Sequence, residues 1–164
     1  MPQTRRRLFV LCDRDNEPRE VKSRYRRLRP ASDAIRPEGA WPSTPLYADN
    51  RAEATLERAE RAIVALGKRV PFLIVYYGSD GAGGWQSIDR PLRTLTTLDR
   101  FGLVTWDGRE PMLRMLQVEE LRRAMGFPAS HAFDHGTRRD KIRLLGNGVA
   151  PPVMKSVVET LARQ

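Results

Sequence analysis

Phe101-Gly102-Leu103-Val104-Thr105-Trp106-Asp107-Gly108, running on to Pro111-Met112-Leu113-Arg114-Met115, is the stretch whose reading decides the fold class. Apolar, aromatic and β-branched residues on either side of an Asp-Gly pair read as two strands joined by a hairpin turn. Upstream, Val70 to Tyr77 carries the same strand composition, and residues 92–97 (Leu-Arg-Thr-Leu-Thr-Thr) read as another strand. Between them, Gly78-Ser79-Asp80-Gly81-Ala82-Gly83-Gly84 is too rich in glycine for any regular element. Near the start, Arg7-Leu8-Phe9-Val10-Leu11-Cys12 is a short apolar run of the kind that forms a buried strand, with Cys12 as a core residue at its end.

Helical signals surround these strands. Ala52, Leu56, Ala59, Ile63 and Leu66 repeat on one face, Asn50 with Glu53 resembles a capping pair, and Gly67 closes the helix. A short helix is expected at about 117–125, stopped by Gly126 and Pro128. Thr137 with Asp140 can cap another turn. Pro151 and Pro152 open a final helix whose inner face is expected to hold Val153, Val157, Val158 and Leu161. Residues 13–49, with five prolines, read as irregular surface. The fold class is therefore α+β: a small, mixed, β-rich domain with short helices.

Composition narrows the partners. The chain has 164 residues, 40% hydrophobic and 30% charged, as in an ordinary folded domain. No apolar run approaches the length of a membrane span, and no signal peptide is recognisable, so a cytoplasmic protein with no membrane partner is expected. The formal net charge is +9, and residues 1–29 alone hold ten Lys/Arg against four acids. Such a stripe suits a polyanion, because each neutralised phosphate releases condensed counterions. His131 and His135 stand four apart, but without a cysteine or carboxylate cluster they fall short of a metal site, and no metal is expected.

Three ordered segments carry a resemblance. Gln3-Thr4-Arg5-Arg6-Arg7 resembles a Gln-x-Arg-x-Arg motif followed by a strand. Arg114-Met115-Leu116-Gln117-Val118-Glu119-Glu120, with Gly126-Phe127-Pro128, is similar to Arg-x-Leu-Thr-x-Arg-Glu ending in Gly-Phe-Pro; Gln117 stands for the usual Thr and Glu119 for the usual Arg. Gly146-Asn147-Gly148-Val149-Ala150-Pro151 is close to Gly-Asn-Ala/Ser-Val-x-Pro. Together they resemble the C-terminal part of the DNA (cytosine-5)-methyltransferases of bacteria and phages.

The resemblance implies a division of the chain. Residues 1–12 would be a strand of the catalytic domain, 13–128 the target-recognition region, and 129–164 a cofactor-side motif and helix returning to a Rossmann-like methyltransferase domain. It implies double-stranded DNA as partner and S-adenosylmethionine as a cofactor shared with the rest of that domain. Arg7 would bond the carbonyl oxygen of a flipped cytosine, with Arg5 and Gln3 next along the same strand face. Asn147, Gly148 and Val149 would line the cofactor pocket. Gly83, Gly84, Trp85, Gln86, Thr94, Thr96 and Thr97 are the candidates for DNA readout, as glycines admit a groove closely and the polar side chains offer donors and acceptors.

The sequence lacks Phe-x-Gly-x-Gly, Pro-Cys and Glu-Asn-Val. Cys12 follows a leucine, so nothing in the chain matches the family's nucleophile. Three readings follow: one part of a split enzyme completed by a separate or upstream catalytic chain, a truncated gene product, or a stand-alone DNA-binding module.

Overall fold

The computed structural model describes residues 1–22, 27–36, 39–77 and 83–162. Five strands form one antiparallel sheet: β1 (Thr44–Pro45), β2 (Phe72–Val75), β3 (Trp85–Ser87), β4 (Phe101–Asp107) and β5 (Glu110–Met115), in the order β1-β5-β4-β2-β3. Four α-helices accompany them: α1 (Glu53–Leu66), α2 (Val118–Ala124), α3 (Arg138–Asn147) and α4 (Pro151–Leu161). The α+β expectation holds.

The four residues of β2 are fully buried because the sheet is covered on both sides. Phe72 and Ile74 face α1, in a cluster with Leu46, Ala59, Ala62, Val104 and Leu113. Leu73 and Val75 point the other way, into a cluster with Phe101, Leu103, Leu121 and Leu145. Alternation along a strand makes this two-sided core unavoidable once both faces are covered. Each such side chain contributes about 1.5–3 kcal/mol relative to exposure. The register pairs Leu73 with Leu103 and Phe72 with Val104, so each cross-strand pair lies on one face.

The hairpin forms as read, with its turn displaced by one residue. Asp107 pairs with Glu110, leaving Gly108 and Arg109 as the central residues. Gly108 has φ 57 and Arg109 has no positive φ, as in a two-residue turn with glycine at its first central position. Helix α1 starts at Glu53 behind Ala52, not at an Asn50 cap. The Arg51 N–H is held by the Ala48 carbonyl at 2.9 Å and its guanidinium by Thr44 and Leu46, which keeps Arg51 outside the helix.

Two expected strands are not strands. Residues 92–97 make one parallel bridge, Gln3 with Leu92, and no ladder. Side chains take the backbone groups instead: Tyr77 donates to the Thr94 carbonyl and Arg5 to that of Leu95, while Thr96 closes a turn onto Leu98. The run 7–12 is irregular, with Leu8 89% and Val10 77% exposed. Past Thr4 the described residues give it no neighbouring edge, so Leu8 and Val10 stay exposed while Phe9 and Leu11 are half-buried along a cavity beside α4. Cys12 is exposed and so is not a core residue. On α4, Val157 and Val153 pack inward, whereas Val158 is 54% exposed and faces away.

Candidate nucleic-acid interface

Two of the three motif segments, Gln3–Arg7 and the turn at Gly146, meet at residues 92–97. Gln3 is buried beside this segment: the Thr4 N–H bonds the Leu92 carbonyl and the Leu92 N–H bonds the Pro2 carbonyl. The Gln3 amide reaches the Arg93 carbonyl at 3.4 Å, and the Thr94 hydroxyl donates to the Thr4 carbonyl at 3.1 Å. From the far side, the C-terminal end of α3 presses on the same backbone. A Cβ on Gly146 would stand 2.7 Å from the Thr97 nitrogen and closer still to the Thr96 carbonyl. Only glycine fits there.

Arg5 ties the N-terminal segment, residues 92–97 and the Gly146 turn together. Its guanidinium donates to the Leu95 carbonyl at 2.9 Å and to the Gly146 carbonyl. Burial lowers its pKa, with the charge of Arg7 adding to the effect, while Nε has no hydrogen-bond partner among the described residues. Arg7 is exposed and donates to the Arg6 carbonyl at 2.8 Å. The two arginines expected to share one site therefore differ: Arg5 is occupied by backbone and Arg7 points outward.

The readout candidates also divide. Gly83 and Gly84 have φ of 78 and 71, a region that strains other residues, and Arg61 bonds the Gly83 carbonyl at 3.2 Å. Residues 78–82 of the expected glycine loop lie outside the described residues. Trp85 packs half-buried against the α1-side cluster. Gln86 is 6% exposed, accepts the Arg93 N–H at 3.1 Å and donates to the Pro91 carbonyl at 3.3 Å. Its amide therefore shapes the turn into 92–97. Thr97 stays half-exposed beside Asp99 and Arg138 at a small cavity.

Around the Gly-Asn-Gly motif, Asn147 is the exposed last residue of α3, Gly148 follows it, and Val149 is 43% exposed. The start of α4 offers less than its position promises. Pro151 and Pro152 have no N–H, and the next two, of Val153 and Met154, both bond the Ala150 carbonyl. The Asn147 carboxamide and the Val149 side chain remain on one exposed turn, a polar and an apolar contact that suit a ligand with both characters. His131 stacks with Phe127 and Phe133, and the described residues contain no group of metal-ligating side chains.

Sequence reasoning missed the arginines. Arg93 donates to the Trp85 carbonyl at 3.2 Å and Arg100 to the Tyr76 carbonyl at 2.7 Å; Arg58 lies 5.7 Å from the Tyr76 ring centre. They come from α1 and both ends of the threonine segment, and only the flanking of Thr94–Thr97 by Arg93 and Arg100 is visible in the sequence.

An antiparallel sheet covered on both faces, with the Gln3–Arg7 segment and the Gly-Asn-Gly turn joined through residues 92–97, is the frame on which these residues sit. The family model described as C-5 cytosine-specific DNA methylase matches residues 1–163, and the chain belongs to that family. No curated protein and no solved structure matches it significantly. No helix of the described residues is long and apolar enough to cross a membrane.

Proposed function

We propose that the chain is the DNA target-recognition and cytosine- and cofactor-clamping part of a DNA (cytosine-5)-methyltransferase that uses S-adenosylmethionine, and that it acts with a catalytic Pro-Cys domain carried on another chain or segment. The observation that carries this is the Arg5 clamp: one guanidinium holds the recognition segment at Leu95 and the cofactor-side turn at Gly146. Base selection and cofactor contact then move as one rigid unit.

Each residue has a part in this reading. Arg7, an exposed guanidinium, meets the carbonyl oxygen of the flipped cytosine, where electron density grows on nucleophilic attack. Arg5 positions that segment, and Gln3 anchors its start. Gly83, Gly84, Thr94, Thr96 and Thr97 lie toward the duplex, with Trp85 and Gln86 supporting them from beneath. Asn147, Gly148 and Val149 contact the cofactor, which supplies the methyl group.

The surface supports a catalytic partner over a stand-alone module. A cavity of about 760 Å³ between the N-terminal segment and α4 is lined by Gln3, Phe9, Leu11, Val153 and Val157, among others. The buried Gln3 Oε1 has no hydrogen-bond partner among the described residues. Leu8, Val10, Met154 and Val158 are exposed as well. Apolar surface with an orphaned acceptor fits a protein neighbour.

The test is methyl transfer with labelled S-adenosylmethionine. The purified chain should bind duplex DNA in a salt-sensitive manner and incorporate no label alone. Adding a chain that carries Pro-Cys and Glu-Asn-Val should restore incorporation. Label transfer by the chain alone, or no DNA affinity at low salt, would overturn the proposal.

A further inference from the structure

Helix α3 is fastened at both ends to the backbone that follows the recognition threonines. At its start, the Arg138 guanidinium holds the Asp99 carboxylate, with Nη2 to Oδ2 at 2.7 Å and Nε to Oδ2 at 3.1 Å. The same side chain donates to Gln117 Oε1 at 3.0 Å and to the Leu116 carbonyl at 2.6 Å. At its end, Gly146 lies so close to the backbone of Thr96 and Thr97 that no Cβ fits. Ile142, midway between them, is buried in the core. These positions follow one another at intervals of four, so one face of α3 is committed to packing and its orientation against this segment is fixed.

Arg139 and Arg143 stand beside that face, and both are exposed. Their spacing puts the two side chains on one flank of the helix, about 6 Å apart along its axis. Arg139 lines, with Thr97 and Leu98, a cavity of about 370 Å³, so this flank is the one that borders Thr97. Neither arginine makes an ion pair or a side-chain hydrogen bond among the described residues. The two neighbouring carboxylates are engaged elsewhere: Asp99 by Arg138, and Asp140 by the Thr137 hydroxyl at 2.6 Å and the Thr137 N–H at 3.0 Å. An exposed guanidinium that is not paired offers its whole donor fork to a phosphate. Two of them in a row along a helix suit the repeating charge of a nucleic-acid backbone.

We propose that Arg139 and Arg143 seat the phosphate backbone of the duplex beside Thr97, and that the fastening of α3 fixes the register in which residues 94–97 meet the bases. This rests on the DNA-recognition reading above and adds to it the residues that hold the backbone. Phosphate contacts of this kind set position and orientation, and carry no sequence information themselves.

The experiment is fluorescence anisotropy of the full chain with a labelled duplex over a salt series. Each phosphate contact contributes about 0.9 to the slope of log K against log salt. Arg139→Gln/Arg143→Gln should make the slope shallower by about 2, and either single change by about 1. Lys141→Gln removes the same charge from another side of α3, where Lys141 lines a cavity with Trp41 and Phe133, and should leave the slope unchanged. Thermal melts establish which variants are folded, and the single variants carry the test if the double one is not. A slope retained in the folded single variants would overturn the seat alone. Loss of methyl transfer in the complemented reaction at that retained slope would give the flank to the catalytic chain instead. An equal loss of slope in Lys141→Gln would also overturn the seat, since it marks a general attraction rather than a contact. Absence of DNA binding by the unaltered chain would sink the recognition reading and the seat with it.

Discussion

The fully buried carboxylate of Glu120 on α2 takes both terminal nitrogens of Arg114 on β5, each at 2.8 Å. It also accepts the N–H of Gln117 at 2.8 Å and that of Arg36 at 2.9 Å, so four donors satisfy it. Arg114 in turn lies 5.1 Å from the Trp41 ring centre. One ion pair thereby fastens the irregular segment before β1, the last strand and the first helix after it. The Arg-to-Glu motif is a brace, and it survives Gln117 in place of threonine because the Gln117 contribution to it is a backbone N–H. Glu119, where an arginine was expected, pairs with Arg36 at 2.9 Å.

Removing one partner of this pair leaves a buried charge uncompensated. Arg114→Met should destabilise the chain by about 3–5 kcal/mol. Arg114→Met/Glu120→Gln should lose less than the sum of the two single changes. Urea denaturation of the four proteins measures the coupling, and simple additivity would show that the pair is not a unit.

Arg5 and Arg7 should separate in stability. Arg5→Ala removes two hydrogen bonds from a charged donor to carbonyls that have few alternatives, and should cost about 1.5–3 kcal/mol. Arg7→Ala at an exposed position should stay within about 0.5 kcal/mol. Equal losses in chemical denaturation would contradict the different placements of the two side chains.

Gln86 offers a similar contrast. A side chain reading bases can be lost without harm to the fold, whereas Gln86→Ala leaves the Pro91 and Arg93 backbone groups without their partner. A loss of about 1–3 kcal/mol is expected, with hydrogen exchange accelerated at the Arg93 amide.

Gly146→Ala places a methyl group inside the backbone of Thr96 and Thr97. Overpacking of this kind costs about 1–3 kcal/mol or more, and α3 must move off the recognition segment. A lower melting temperature with weakened DNA binding is the expected pair of readouts.

Acid should weaken the start of α3. The Thr137 hydroxyl and N–H hold the Asp140 carboxyl below its usual range, by direct hydrogen bonds. A depressed folded-state value means that the stabilisation is present above the ordinary carboxylate pKa and is lost as pH falls through the folded one. The urea midpoint should therefore decline from about pH 5 downward, and the decline should shrink in Asp140→Asn. An identical acid limb in both proteins would place the titrating group elsewhere.

Much of this is legible in the sequence. The hairpin, β2, the stops at Gly67 and Gly126, the Thr137–Asp140 cap and the proline-led α4 are set by near neighbours in sequence, through periodicity, turn chemistry and capping. The order of three motifs likewise pointed to the family, and the family model spans the chain. Such signals are local, so sequence alone determined them.

Tertiary structure decided the rest. Whether 7–12 and 92–97 become strands depends on what lies beside them: the first finds no edge among the described residues, and the second gives its carbonyls to Tyr77 and Arg5. Gln86 looks like a reader of bases in sequence and is a buried strut in space. Arg5 bonds the carbonyls of Leu95 and Gly146, 90 and 141 positions away in numbering, and only the fold brings these groups together. Hydrogen-bond partners and charge neighbours are properties of distance in space, which the hydrophobic pattern of a strand or helix does not encode.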